Sequence, residues 1–189
     1  MVCGQAEDAP QAMKAIKTLK PHIVIVDISL KETNGVELIK DIKVQYPSLL
    51  VLALSMHDEF LYAERCLRAG AKGYIMKQQA TEKVVTAIRK VLNGQVYLSD
   101  KMAAKMMCKL VGGKPEIGAS PIEHLSDREL EVFLLLGQGH GTRQIAGKLH
   151  LSIKTIETYR AHIKEKLNLA SAAELLQYAI QWAGSRSRA

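Results

Sequence analysis

The sequence predicts two folds in tandem: an α/β domain built on a parallel sheet, then an all-α domain. Three observations carry that reading. Up to about residue 97, short apolar runs alternate with amphipathic stretches. After residue 120 no strand-like run remains, and every segment has helical spacing. Between the two, "GGKPEIGASP" gathers the glycines and prolines of a hinge. The expected division is 1–97 for the α/β domain, 98–120 for a linker helix and hinge, and 121–189 for the helical domain.

The elements follow in order. "PQAMKAIKTLK" has the apolar spacing of a helix, and "HIVIVDI" is an apolar run suited to the middle of a sheet. "GVELIKDIKVQY" reads as helix and "LLVLALS" as strand. "EFLYAERCLRAG" reads as helix with Gly70 past its C-terminus. "KGYIMK" is a short strand, and "TEKVVTAIRKVLNG" is a helix ending at Asn93-Gly94. Strands separated by helices imply βαβ units and a sheet covered on both faces. In the second half, Ser126 with Glu129 makes a capping box, and Leu125 with Leu130 a hydrophobic staple. That helix ends near Gly137–Gly139, and a short helix runs from Thr142 to Leu149. His150-Leu151-Ser152 forms a turn with Ser152 as N-cap, and a longer helix reaches about Leu167. Ser171 with Glu174 is a further capping box that opens the last helix.

Composition narrows the class. The chain has 189 residues, 48% hydrophobic and 24% charged, as expected of a soluble globular protein. No apolar run approaches the roughly 20 residues of a membrane span. "MVCGQAEDAP" lacks the basic start and apolar core of a signal peptide. Cys3, Cys66 and Cys108 lie far apart and suit a reducing cytoplasm rather than a disulfide framework or zinc site. The net charge of +7 suggests an anionic partner only weakly, because the basic excess is modest in every segment.

In open parallel sheets, ligands bind at the carboxyl ends of the strands. Asp27, Ser55 and Lys77 end the three apolar runs. A carboxylate, a hydroxyl and an ammonium on one sheet edge suit phosphoryl chemistry. Asp27 supplies the nucleophile, Ser55 a hydrogen bond to a phosphoryl oxygen, and Lys77 a countercharge. A lone Asp after a strand is otherwise a turn residue or helix cap.

With "VDISL", "TNGVELI", "LALSMHDE" and "AGAKGYIMK" in register, residues 1–97 resemble the receiver domain of bacterial two-component response regulators. The resemblance implies an incomplete CheY-like doubly wound sheet. It implies phosphorylation of Asp27 by a sensor histidine kinase, with Ser55, Tyr74 and Lys77 as the residues that report it. It also implies Mg²⁺, held by Asp27, the backbone carbonyl of Ser29 and an acidic pair on a first strand. This chain starts at what looks like the second strand, so that pair is missing, and Glu7 and Asp8 are the nearest acids upstream. Lys31 and Gln78 replace prolines common in such receivers. The expectation is little phosphate uptake by the chain as it stands.

In the second half, two helices joined by a short turn form a helix-turn-helix. Small Ala146 lets them cross closely, and Ile145, Leu149, Leu151 and Ile156 fill the wedge. Ile156, Tyr159, Ile163 and Leu167 make one buried stripe. The segment resembles the DNA-binding domain of LuxR-type regulators, as fused to receivers in the NarL/FixJ family, through "LSDRELEVF", "QIAGKL", "LSIKTIETY" and "HIKEKLNL". Tyr159 stands where histidine is usual.

DNA roles are assigned position by position. Lys154, Thr155, Arg160, Lys164 and Lys166 are expected on phosphates of double-stranded DNA, and Glu157, Thr158 and Ala161 on bases. Thr142, Arg143 and Gln144 open a helix that can hold a phosphate. Glu157 is equally suited to an i,i+3 pair with Arg160, and Lys148 is better suited to a solvated face than to DNA contact. The last helix, "SAAELLQYAIQWAG", is expected both to pack on the other three and to pair with its copy in a homodimer on DNA. The expected protein is a cytoplasmic DNA-binding transcription regulator. The rival is an interaction module that pairs with an intact regulator through residues 59–93 and antagonises it. An enzyme is not expected: Ser29 stands where phosphatase-like aspartyl nucleophiles keep a second aspartate.

Overall fold

The computed structural model describes residues 1–30, 34–111 and 121–186, apart from the side chains of Ala80 and Arg186. Lys31 and all but the last residue of the expected hinge, which falls on residues 112–121, lie outside the described residues. The chain divides into two compact units, Met1–Pro115 and Glu116–Ala189.

In the first unit, α1 (Ala9–Leu19) precedes β1 (Ile23–Asp27), α2 (Gly35–Gln45), β2 (Leu50–Ser55), α3 (Glu59–Arg68), β3 (Gly73–Met76), α4 (Lys77–Leu92) and α5 (Asp100–Leu110). The strands are parallel in the order β1-β2-β3, with Asp27 opposite Leu54 and Ser55 opposite Met76. Two successive crossovers step the same way along the sheet. Right-handedness therefore puts α2 and α3 on one face, where they touch each other. The pleat sends Leu52 to the other face, where it packs with Ile75 and with Ala87 and Val91 of α4. Val51 and Ala53, of opposite parity, are also fully buried.

Two features depart from the sequence reading. Residues 1–6 form no strand, although the second strand of a receiver is expected there. A strand needs a hydrogen-bonding neighbour, and Gly4 and the polar residues after it bring little apolar surface. Among the described residues β1, whose composition suits a sheet centre, is an edge strand, and Ile25 is 40% exposed. The second departure is at β3. Helix α4 begins at Lys77 with no gap and with no side-chain cap from Met76, so the lysine occupies the first turn, where the helix dipole disfavours a cation.

The second unit is helical among its described residues: a 3-10 turn (Pro121–His124), α6 (Asp127–Gly137), α7 (Thr142–Leu149), α8 (Ile153–Lys166) and α9 (Ala172–Arg186). The Ser126–Glu129 capping box is complete, and Leu125 and Leu130 are buried beside it. His150 ends α7 in the left-handed region, and the Ser152 hydroxyl caps α8 by accepting from Thr155 N at 3.0 Å. Ile145, Ala146, Ile156 and Ile163 are buried; Leu149, Leu151, Tyr159 and Leu167 are half-buried. Phe133 meets Trp182 edge-on at 5.7 Å, which fixes α9 on α6. The expected Ser171–Glu174 box forms by half. Glu174 N donates to Ser171 Oγ at 3.1 Å, but the glutamate accepts from Ala170 N rather than from Ser171 N.

Candidate functional site

Asp27, Ser55 and Lys77 meet at the carboxyl edge of the sheet. Lys77 Nζ donates to Asp27 Oδ2, and Ser29 N donates to Asp27 Oδ1 at 3.0 Å. Both carboxylate oxygens are therefore engaged, and the pairing supplies a reason for a lysine in the first turn of α4. Gly35, at the start of α2, makes the close packing possible. A Cβ there would lie 2.2 Å from Asp27 O and 2.6 Å from Ile28 Cα. Only glycine lets α2 approach the strand end so closely.

A histidine that the sequence reading missed completes the site. His57 Nε2 lies 3.1 Å from Ser29 Oγ, and its ring stacks on Tyr62 with centroids 4.8 Å apart. Its backbone N–H donates to Ser55 Oγ at 2.9 Å, and its carbonyl accepts from Tyr74 Oη at 2.8 Å. One residue thus links the Asp27 loop, Ser55 and Tyr74. Burial lowers the imidazole pKa; Asp27 opposes that shift and Lys77 adds to it. Burial also pushes the Tyr74 phenol well above its ordinary value. The signal for His57 was weak, because a histidine two residues beyond a strand has no spacing pattern of its own.

The donor set does not suit Mg²⁺. That ion takes six oxygens in near-ideal octahedral geometry. Here both oxygens of Asp27 are already engaged, and no group of three or more His, Cys, Asp or Glu side chains that could hold a metal ion occurs among the described residues. Asp8 does not fill the gap: its carboxylate caps α1, accepting from Gln11 N and from Gln11 Nε2, both at 2.8 Å.

On the second unit, α8 exposes Lys154, Glu157, Thr158, Ala161 and Lys166, with Thr155, Arg160 and Lys164 half-buried. Arg143 and Gln144 are exposed at the start of α7, and Thr142 is half-buried. Two of the cations are committed within the unit. Arg160 Nη1 donates to Thr142 Oγ1, which joins α8 to the first turn of α7. Lys166 Nζ donates at 2.7 Å to Glu129, a buried carboxylate that also accepts from Ser126 N at 2.7 Å. Burial raises the Glu129 pKa, but these bonds outweigh it and leave it below the ordinary value.

A carboxylate, a hydroxyl and a lysine at the carboxyl edge of a parallel sheet, followed by a capped helix-turn-helix, match the class of signal-receiving regulators with a DNA-binding output. The comparisons agree. Residues 1–89 match the response regulator receiver domain, and residues 123–179 match the bacterial regulatory proteins of the luxR family. Oxygen regulatory protein NreC of Staphylococcus carnosus (strain TM300) is 35% identical over 184 residues, covering 95% of this chain and 85% of that protein. NreC of Staphylococcus haemolyticus (strain JCSC1435) is also 35% identical with the same coverage. Among solved structures, RcsB from Salmonella enterica serovar Typhimurium, bound to promoter rprA with the phosphomimetic BeF3−, has TM-score 0.60 at 27% identity, covering 95% of this chain and 85% of that one. An RcsB–DNA complex gives TM-score 0.60 at 27% identity, with 95% and 84% covered. The chain belongs to the NarL/FixJ-type response regulators, which are DNA-binding transcription regulators. The antagonist-module reading is not favoured, since the matched relatives span both units.

Proposed function

We propose that α8 enters the major groove of double-stranded DNA and that the Asp27 edge is a phosphoacceptor site which works poorly in this chain by itself. The observation that carries the DNA reading is the capped α7–turn–α8 unit, with Lys154, Glu157, Thr158 and Ala161 exposed along one helix. Lys154, Thr155 and Lys164 contact phosphates, while Glu157, Thr158 and Ala161 face bases. Arg160 reaches a phosphate together with the α7 start that it already holds, alongside Arg143 and Gln144. Lys166 contributes mainly field, because Glu129 neutralises it. The exposed Leu176 and Ile180 of α9 pair with a second copy on DNA.

For the sheet unit, a histidine kinase is the implied phosphodonor, Asp27 the acceptor, and Ser55, Tyr74 and Lys77 the reporting residues. A chain with this task works in the cytoplasm. No described helix is long and apolar enough to cross a membrane.

A mobility-shift assay on residues 120–189, at stated salt, tests the DNA reading. Selected duplexes are expected to bind at least about a thousandfold tighter than random ones; equal binding refutes it. Sequence selection with Glu157→Ala should change the preferred base at one half-site position, whereas Arg160→Ala should weaken all sequences alike and lower the salt slope by about one unit. An unchanged preference in Glu157→Ala removes the base-reading role.

A further inference from the structure

Glu59 is a carboxylate only 8% exposed, and neither the Asp27 edge nor the DNA surface uses it. Its Oε1 accepts from Ser99 N at 2.9 Å. Ser99 is the N-cap of α5, its hydroxyl accepting from Met102 N at 3.2 Å. The first turn of α3 therefore holds the first turn of the helix that leads out of the sheet unit. Further contacts fasten the rest of α5. Met102 is 1% exposed, Lys105 Nζ lies 5.3 Å from the centre of the Phe60 ring, and Lys109 Nζ donates to Glu64 Oε2 at 2.8 Å. Charge and ring partners thus recur along the α3–α5 contact, with acids and an aromatic on α3 and lysines on α5.

The chain just before α5 is fastened as well. Tyr97 bridges Gly73 in parallel fashion; its N–H donates to Lys72 O at 3.0 Å, and its carbonyl accepts from Tyr74 N at 2.9 Å. Gly73 permits this, since a Cβ there would meet Tyr97 Cβ at 2.9 Å. Tyr74 consequently grips this segment through its backbone and the His57 carbonyl through its hydroxyl. Ser55 ends β2, and His57 lies in the loop that runs from it directly into Asp58, the N-cap of α3, and then Glu59.

We propose that residues 97–110 form a releasable strap, clamped on β3 and α3, whose hold is set by the Tyr74–His57 contact. A change at the strand mouth that withdraws Tyr74 moves the loop carrying Glu59 and the edge carrying Tyr97 together, and both ends of the strap's attachment loosen. Release adds residues 98–110 to the connection between the two units. The clamp itself does not require Asp27 to accept phosphate. Only its physiological trigger rests on that reading, so the test is made without phosphate.

Hydrogen exchange of the full chain, followed in peptides covering 100–110, reads the clamp directly. Glu59→Ala and Lys109→Ala each remove one charge-assisted bond and should speed exchange in α5 about tenfold, with α2 unchanged as the folding control. Tyr74→Phe, which removes only the hydroxyl, should also speed it, although that hydroxyl bonds to His57 and not to α5. Parent-like exchange in α5 for Glu59→Ala and Lys109→Ala would overturn the clamp. Parent-like exchange in Tyr74→Phe alone would overturn the control by Tyr74, and with it the proposal. Faster tryptic cleavage after Lys105 in the same variants gives a second readout, expected to follow the exchange.

Discussion

The two units use a lysine–carboxylate pair in different ways. In the sheet unit Lys77 meets Asp27 at the strand mouth, and the side chains are 35% and 30% exposed. In the helical unit Lys166 meets Glu129, and that carboxylate is only 5% exposed. The half-buried pair is partly screened by water and contributes less to stability than a buried one. It can also be opened by an incoming anion at small cost. A buried carboxylate has no such freedom, because removing its partners leaves a desolvated charge. Glu129 caps α6, receives Lys166 and so fixes the end of α8 on α6. The contrast separates a pair that an anion can open from one that holds the scaffold together.

The largest effect expected is in the sheet unit and comes from packing, not charge. Gly35→Ala puts a methyl group against the Asp27 carbonyl and the Ile28 backbone, neither of which can swing aside. A loss of about 3 kcal/mol is expected, the upper part of the overpacking range, measured by urea unfolding. Wild-type stability in that variant would show that α2 does not need the close approach.

Next comes the buried carboxylate. Glu129→Ala removes half of a capping box and the anchor of Lys166, with an expected loss of about 2 kcal/mol from the helical unit. A loss below a few tenths would make Glu129 as dispensable as a surface pair. The same residue sets a pH dependence. Its folded pKa lies below the ordinary carboxylate value of 4.5, so the unfolded chain binds the proton more readily. The stabilisation is fully present above 4.5 and is lost as pH falls through the folded value. Acid unfolding of the helical unit, followed by Trp182 fluorescence, should lose that sensitivity in Glu129→Gln; identical acid profiles for variant and parent count against the assignment.

The smallest effect concerns the half-buried Lys77–Asp27 pair. Phosphoryl transfer depends mainly on positioning and charge neutralisation. With Lys77 as the cation paired to Asp27 and no acidic cluster for Mg²⁺ among the described residues, little mass gain is expected after treatment with a small phosphodonor and Mg²⁺. Asp27→Asn should leave DNA affinity nearly unchanged. A stoichiometric gain of one phosphoryl group, abolished by Asp27→Asn, would show that the strand mouth works in this chain and that the poor-acceptor reading is wrong.

Much of this was legible in the sequence, and the reasons differ by element. Apolar runs marked β1 to β3 because strands in a sheet covered by helices need a largely apolar stretch, and caps at Ser126 and Ser152 marked helix starts because the first-turn N–H groups need local acceptors. The convergence of Asp27, Ser55 and Lys77 followed from parallel strands, which must place their C-terminal residues on one edge. Contacts between segments distant in sequence were not legible. His57 joined the site through Ser29, twenty-eight residues earlier in the chain. Lys166, a cation on a helix face, turned inward to Glu129, thirty-seven residues away. The position of β1 at the sheet edge among the described residues, with Ile25 exposed, depended on which strands pair, and no run of residues encodes its own neighbours. Local hydrogen bonds and periodicity are written in adjacent residues, so the sequence by itself determined the elements and the order of the two folds. The partners of buried charges are chosen by packing in space, so only the tertiary structure decided which lysine guards a phosphoacceptor-like carboxylate and which one holds the scaffold.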